Sequence, residues 1–227
     1  MFETSEQPPQ KIAFLLVRDF SMMAFTSSVE PLRAANRLSG ESLYAWRTLS
    51  IDGGPVRASN DIIIVPDGSI YDELDAKTLF VCAGIRAERF NDKDVFNRLR
   101  ELSRRGIALG GVCTGSLALA RAGLLDGYRC TIHWENMEGF VEDFPKLKIT
   151  ATLFEIDRDR YTCSGGTAPL DMMIYAISRD FSDKLAIGVA EQMLHNFVRQ
   201  PHDAQRMSIQ DRTGISNPKL LAVIAHM

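Results

Sequence analysis

The stretch "LGGVCTGSLALARAGLLDG" (residues 109–127) changes its pattern within a few residues. It begins as a short apolar run typical of a buried strand, turns at Cys113, and continues with helical spacing. A strand that turns sharply into a helix presents the residue at its tip above the carboxyl edge of the sheet, where open α/β sheets bind ligands. Gly111 and Gly115 allow close backbone approach at this turn. We therefore predict a strand–helix turn of the nucleophile-elbow type at Cys113.

Strand and helix patterns alternate through most of the remaining chain. Continuous apolar runs predict buried strands, a hairpin with its turn near "DRD" (157–159) spans 151–166, and amphipathic stretches predict helices. The predicted strands are 11–17, 44–52, 61–67, 78–84 and 107–112, and the main predicted helices are 23–38, 92–106, 167–181 and 182–199. This alternation predicts an α/β fold with a mainly parallel sheet.

Composition excludes several classes of protein. The 227 residues carry a net charge of −3, which leaves no electrostatic footprint for nucleic acid in this chain. Four scattered cysteines without a CxxC pair argue against a zinc site and against a secreted disulfide scaffold. The sequence has no apolar run of membrane-spanning length and no signal peptide. We expect a cytoplasmic protein with no metal and no cofactor.

The two ends differ from the middle. Residues 1–10 are polar and predict a disordered tail, and 200–217 are polar and patternless, which is typical of a linker. A helix then begins well, with Asn217 as a possible cap and Pro218 at the first helical position. That helix is cut at Met227, so 218–227 is interpreted as the truncated start of a further domain.

Cys113 and His133 are the candidate catalytic pair. A helix N-terminus after Cys113 would lower the pKa of the thiol and favour the reactive thiolate. His133 follows in "CTIHWEN" at the end of another predicted strand, so the two side chains could meet at the sheet edge.

Four stretches carry a resemblance to a known family: 110–135 ("GGVCTGSLALARAGLLDGYRCTIHWE"), 20–40, 157–173 ("DRDRYTCSGGTAPLDMM") and 217–227. The chain resembles the PfpI-like, type-1 glutamine amidotransferase-like superfamily, and within it the sensor domain of the GlxA-type branch of AraC/XylS transcription regulators. The resemblance implies a flavodoxin-like sheet with helices on both faces, a PfpI-like ligand-sensing and dimerisation domain over 11–199, and a helix-turn-helix DNA-binding domain that would begin at 218.

The sequence departs from the enzymes of that superfamily at one position. Those enzymes commonly hold a carboxylate against the cysteine, supplied soon after the first strand. The corresponding turn here carries Met22 and Met23, while Asp19 comes too early and Glu30 too late. The expected function is therefore a non-catalytic sensor. The alternative is a thiol-dependent hydrolase or lyase that uses Cys113 and His133.

The resemblance is closest to regulators of quaternary-amine catabolism, so the expected effector is glycine betaine or carnitine-like. The ring of Trp134 offers a face for a quaternary cation, and helix-start N–H groups could hold a carboxylate. A broad apolar stripe over 184–199 predicts a homodimer, and DNA contact is expected only through the missing domain. The candidate ligand-binding residues are Cys113, Thr114, His133, Trp134, Glu30, Gly165, Gly166 and Thr167.

Overall fold

The protein was analysed as a computed structural model that describes residues 9–217 and Leu220. The strands are β1 (Gln10–Leu16), β2 (Tyr44–Ser50), β3 (Val56–Arg57), β4 (Ile63–Ile64), β5 (Gly68–Ser69), β6 (Thr78–Cys82), β7 (Ala108–Val112), β8 (Arg129–Cys130), β9 (Lys148–Ile149), β10 (Phe154–Asp157) and β11 (Arg160–Cys163). The central sheet has the order β10-β11-β7-β6-β1-β2-β5. Its pairs are parallel except β10–β11, which form the predicted antiparallel hairpin.

Burial on both faces explains the continuous apolar run of β1. Ile12, Phe14 and Leu16 pack into one core cluster, while Ala13 and Leu15 pack into the other. Successive side chains of a strand point to opposite faces, so a strand covered on both sides needs apolar residues at every position. The run therefore marks a central strand, and β1 does pair with both β2 and β6.

Helices cover both faces of the sheet, as predicted. They are α1 (Met22–Ser39), α2 (Lys93–Arg104), α3 (Gly115–Arg121), α4 (Met137–Asp143), α5 (Ala168–Asp180), α6 (Asp183–Gln192) and α7 (Ile209–Thr213). α1, α5 and α6 pack together over one core cluster, and α2 and α3 cover the other. A short 3-10 turn at Trp134–Asn136 precedes α4.

The prediction of a sheet strand over 61–67 was wrong. Only Ile63–Ile64 is extended, and it pairs with Val56–Arg57 in a separate two-stranded hairpin. Ile62, Ile63 and Val65 are exposed, at 54%, 55% and 75%. Apolar composition predicted burial here, but the run lies outside the central sheet, and only Ile64 packs against the core among its four apolar side chains.

The last long helix is shorter than the predicted 182–199, because α6 ends at Gln192. Leu194 has φ +53°, the N–H of Leu194 donates to the carbonyl of Glu191 at 3.0 Å, and the N–H of His195 donates to the carbonyl of Ala190 at 2.9 Å. This is a Schellman motif, which usually has glycine at the left-handed position. Leucine gave no sign of the helix end in the sequence.

Residues after α6 return to the domain. The N–H of Leu153 donates to the carbonyl of Pro201 at 3.0 Å, and Thr152 forms an isolated antiparallel bridge with Ala204. The linker predicted over 200–217 therefore contacts the domain in its first part, and its role as a linker stays a prediction. The tail prediction for 1–10 and the helix prediction for 218–227 fall almost entirely outside the described residues.

Candidate functional site

A tight turn joins β7 to α3. β7 ends at Val112, Cys113 has φ +60°, and α3 begins at Gly115. The N–H of Cys113 donates to the carbonyl of Cys163 at 3.1 Å, which fixes the turn against the end of β11. A non-glycine residue at positive φ is strained and is tolerated where the surroundings hold it, often at a functional site.

Two glycines make this turn possible. A Cβ on Gly115 would lie 1.9 Å from the carbonyl oxygen of Val81, so only glycine lets α3 start this close to β6. A Cβ on Gly165, which has φ +92°, would lie 2.7 Å from the Cβ of Cys113 and 2.9 Å from its Sγ. The loop that begins α5 therefore packs directly on the cysteine.

The predicted activation of the Cys113 thiol was wrong. Burial raises its pKa from the ordinary 9.0 to about 11, the hydrogen bonds with Thr114 oppose this increase, and the carboxylate of Glu135 adds to it. Cys113 is only 7% exposed. Loss of hydration outweighs the dipole of the short helix α3, so the thiol is protonated at neutral pH.

His133 lies at the start of the Trp134–Asn136 turn, where its Nδ1 accepts a hydrogen bond from the N–H of Glu135 at 3.3 Å. Burial lowers the pKa of the imidazole, and the nearby carboxylate of Glu135 opposes this. Within the described residues, no hydrogen bond joins His133 to Cys113. The pair lacks the contact that general-base activation of a nucleophile requires.

Thr114 and the "SGGT" turn are occupied by internal hydrogen bonds. The hydroxyl of Thr114 donates to the carbonyl of Gly84 at 2.7 Å. The hydroxyl oxygen of Thr167 accepts from Nη2 of Arg199 at 2.6 Å. Gly166 has φ +58° and open space where a Cβ would be. The structure thus brings Cys113, Thr114 and Gly165 together, with Gly166 and Thr167 following on the same turn.

Trp134 presents an accessible ring, with 39% of the residue exposed. The Cζ atom of Arg206 lies 4.1 Å from the ring centroid, which is a cation–π contact. The imidazole of His133 lies next to the indole, with 5.7 Å between centroids. The ring chosen from the sequence as a face for a cation therefore already contacts one.

Among the described contacts, Glu30 pairs with Arg33 and has no hydrogen bond to the residues of the Cys113 turn. It lies near the middle of α1, and its carboxylate pairs with Nε of Arg33 at 2.8 Å. Eight residues of helix separate it from Met22, which corresponds to about 12 Å along the axis. A ligand role for Glu30 stays a prediction.

Sequence reasoning missed a buried carboxylate on α5. Asp171 is fully buried, and its two oxygens accept from Nε2 of His195 at 2.7 Å and from Nη2 of Arg199 at 2.6 Å. Arg199 also donates its backbone N–H and its Nε to this carboxylate. These contacts hold the segment after α6 against the domain.

Sequence reasoning also missed a cluster of arginines at the ends of β1 and β6. A cavity of about 340 Å³ is lined by Val17, Arg18, Asp19, Arg86, Arg89 and Phe90. Nη2 of Arg86 lies 2.9 Å from Oδ2 of Asp19, and both residues have positive φ. Arg18, Arg86 and Arg89 line this cavity, and two carboxylates balance part of their charge: Asp19 beside Arg86, and Glu88, which lies 3.7 Å from Nε of Arg89.

Within the described residues, no group of three or more His, Cys, Asp or Glu side chains is arranged to hold a metal ion. None of the helices described is both long enough and apolar enough to span a bilayer.

Comparison with known proteins gives the family of the chain. The model of the DJ-1/PfpI family matches residues 10–178. The chain is 43% identical to the HTH-type transcriptional regulator GbdR of Pseudomonas aeruginosa over 219 residues, covering 96% of this chain and 60% of that protein. It is 45% identical to the HTH-type transcriptional regulator CdhR of the same species, covering 96% and 65%.

A solved structure agrees with these relatives. The crystal structure of an AraC family transcriptional regulator from Pseudomonas putida superposes with a TM-score of 0.73 at 32% identity, covering 82% of this chain and all of that one. The chain spans about 60% of the length of GbdR. The chain belongs to the DJ-1/PfpI family, in the branch found in AraC-type transcriptional regulators.

Proposed function

We propose that this chain is the effector-sensing part of an AraC-type transcriptional regulator. The observation that carries the proposal is the similarity to named transcriptional regulators over 96% of the chain, combined with a cysteine turn that lacks the groups for catalysis. A protonated, buried thiol without a hydrogen-bonded base is unsuited to nucleophilic attack. Cys113 then lines a binding site.

DNA contact belongs to the rest of the regulator in this proposal. The chain carries a net charge of −3, which opposes binding to phosphates. Gel-shift assays on this chain and on the full-length regulator test the division: we expect sequence-specific binding only by the full-length protein. Strong binding by this chain alone would refute it.

The effector in this proposal joins a quaternary ammonium group to a carboxylate, as in glycine betaine or carnitine. The ammonium group would contact the Trp134 ring, and Glu135 beside it adds charge complementarity. The carboxylate would lie at the helix starts near Cys113 and Gly166. The arginines of the 340 Å³ cavity are a second candidate for the carboxylate.

A thermal-shift screen of glycine betaine, dimethylglycine, carnitine, choline and arginine tests the effector class. A ligand at 100 times its Kd adds about 2.7 kcal/mol to the free energy of unfolding, which gives a readily measured shift. We expect betaine or carnitine to give the largest stabilisation. Stabilisation by an uncharged or anionic compound, with no response to either quaternary amine, would refute the assignment.

We also propose a homodimer that uses the region around α6. Ile187, Leu194 and Phe197 are exposed at 59%, 84% and 75%, a concentration of apolar surface that monomers rarely leave uncovered. They adjoin a cavity of about 700 Å³ between α5, α6 and residues 195–200, which contains none of the predicted ligand residues. Sedimentation should show a dimer at micromolar concentration, and Phe197→Ser should weaken it. A monomer at all concentrations would refute the proposal.

A further inference from the structure

The Trp134 ring is contacted by a cation that belongs to the chain itself. Cζ of Arg206 lies 4.1 Å from the centroid of the Trp134 ring. A guanidinium over an indole face and a quaternary ammonium over the same face are attracted by the same ring quadrupole. Both cannot occupy one face at once, so the position of Arg206 decides whether the ring is available.

Gln205, the residue before Arg206, is hydrogen-bonded to the domain through its side chain. Its Nε2 lies 3.0 Å from Oγ1 of Thr131, 3.0 Å from the carbonyl of Ile132 and 2.8 Å from the carbonyl of Thr152. An amide nitrogen has two hydrogens, so these three acceptors share them. The amide is thus inserted into a site formed by two separate parts of the domain.

Backbone contacts extend this attachment toward α6. The carbonyl of Pro201 accepts from the N–H of Leu153 at 3.0 Å, and Ala204 bridges to Thr152. We name residues 200–206 the docked segment. The docked segment begins directly after Arg199, whose side chain pairs with the buried carboxylate of Asp171. Its N-terminal end is therefore fixed to the domain.

One continuous run of backbone carries the ring and two of the three acceptors for Gln205. Thr131 and Ile132 accept from Gln205, and Trp134 follows two residues later. The carbonyl of Thr131 also accepts from the buried hydroxyl of Ser116 at 2.8 Å, which joins this run to the helix after Cys113. The backbone of residues 131–134 therefore links the Trp134 ring directly to the residues that bind Gln205.

The docked state leaves one polar atom without a partner. Oε1 of Gln205 is buried and accepts no hydrogen bond within the described part of the chain. Water would satisfy this atom once the segment separates. Rehydration of the Gln205 carbonyl oxygen therefore favours release of the docked segment.

We propose that the docked segment is an internal competitor of the effector: Arg206 covers the Trp134 ring in the free protein, and a small organic cation that takes the ring releases residues 200–206. The inference rests on the proposed function for its ligand class. The segment lies between the domain and the helix predicted from Pro218. Its release is the event that would transmit binding to the rest of a regulator.

Hydrogen exchange without ligand tests the docking itself. The N–H of Leu153 is protected by the carbonyl of Pro201, so its exchange reports the opening of the segment. Arg206→Ala should accelerate this exchange about two- to fivefold, the factor that corresponds to an exposed cation–π contact. Gln205→Ala should accelerate it about fivefold or more. Arg212→Ala, an exposed arginine of the same region, is the matched control and should have no effect; equal exchange in all variants would overturn the proposal.

Calorimetric titration with glycine betaine, and with tetramethylammonium as the cation alone, tests the competition. We expect Arg206→Ala to bind both about two- to fivefold more tightly than the wild type. Gln205→Ala should also bind more tightly although Gln205 does not touch the ring, and Arg212→Ala should match the wild type. Betaine should accelerate Leu153 exchange in the wild type.

The outcomes separate this inference from the proposed function. Betaine binding with the same Kd in all four proteins would overturn the competition and leave the effector class intact. Binding of neither cation to any variant would refute the effector class and the competition together. In that case the exchange data still decide whether Arg206 and Gln205 hold the segment.

Discussion

The turn at Cys113 and the surface around Trp134 differ in their exposure to solvent and in the charge they accommodate. Cys113 is 7% exposed, and burial raises the pKa of its thiol to about 11. Trp134 is 39% exposed and contacts a solvent-accessible guanidinium. The first region has a strand–helix turn and a thiol kept neutral, while the second presents an aromatic ring in contact with a cation. The two neighbouring regions therefore differ in chemistry: the turn holds a buried, neutral thiol, and the indole face contacts a cation.

The largest expected effect concerns the reactivity of Cys113. The thiolate is the nucleophile, so a pKa of about 11 instead of 9.0 lowers the reactive fraction at pH 7 by about a hundredfold. The rate of Cys113 alkylation by iodoacetamide should keep rising until about pH 11, whereas the unfolded protein should level off near pH 9. Peptide mass spectrometry from pH 7 to 12 gives both curves, and Cys113→Ser identifies the signal.

The same shift has a consequence for stability with a definite sign. A thiol whose pKa is raised on folding contributes stability that is present below about pH 9 and is lost as the pH rises toward 11. If the alkylation rate of Cys113 levels off below pH 8, burial does not raise the pKa of this thiol. The Cys113 turn would then accommodate a charged group, as the surface around Trp134 does.

The next effect concerns the packing of the turn. Gly115→Ala places a Cβ 1.9 Å from a backbone oxygen, so the free energy of unfolding should fall by about 1–3 kcal/mol. Gly188→Ala, within α6, is the matched control, because a Cβ at this position would meet only a side-chain methyl of Leu38 on α1, at 3.5 Å. Alanine favours a helix interior by about 1 kcal/mol over glycine. Urea denaturation should give opposite signs, and a shared sign would contradict the close approach at Gly115.

The smallest effect concerns the aromatic face. Trp134→Ala should weaken binding of a quaternary amine about two- to thirtyfold, which corresponds to about 0.5–2 kcal/mol. Trp134→Phe keeps a ring and should lose less, and Trp46→Phe, away from this face on β2, should match the wild type. Titration calorimetry measures all three. Unchanged affinity in Trp134→Ala would remove the ring from the effector site.

The sequence predicted those parts of the fold that are determined by residues close together in the chain. The strand, turn and helix over 107–121 were predicted because apolar runs, glycine positions and helical spacing are local patterns. The strand over 61–67 was wrong because the same apolar pattern occurs in an exposed hairpin. The end of α6 was missed because a leucine takes the left-handed position that glycine usually marks.

The candidate site was predicted less completely, for a related reason. Trp134 was selected from its residue type, but its contact with Arg206 joins residues far apart in the chain. The carboxylate of Asp171 gave no signal, since its partners His195 and Arg199 lie beyond another helix. The pKa of Cys113 was predicted in the wrong direction because the extent of burial at a turn depends on what packs over it, here the loop at Gly165.

The central position of β1 constrains how the protein is made. This strand leaves the ribosome before its partner β6, which begins only at Thr78. Synthesis of roughly 60 intervening residues takes roughly 3–12 seconds at about 5–20 residues per second. During that interval the apolar residues of β1 lack one of their two neighbours. The nascent chain therefore exposes an aggregation-prone apolar segment before its sheet can form. Binding of a chaperone to β1 at this stage would reduce aggregation of the nascent chain.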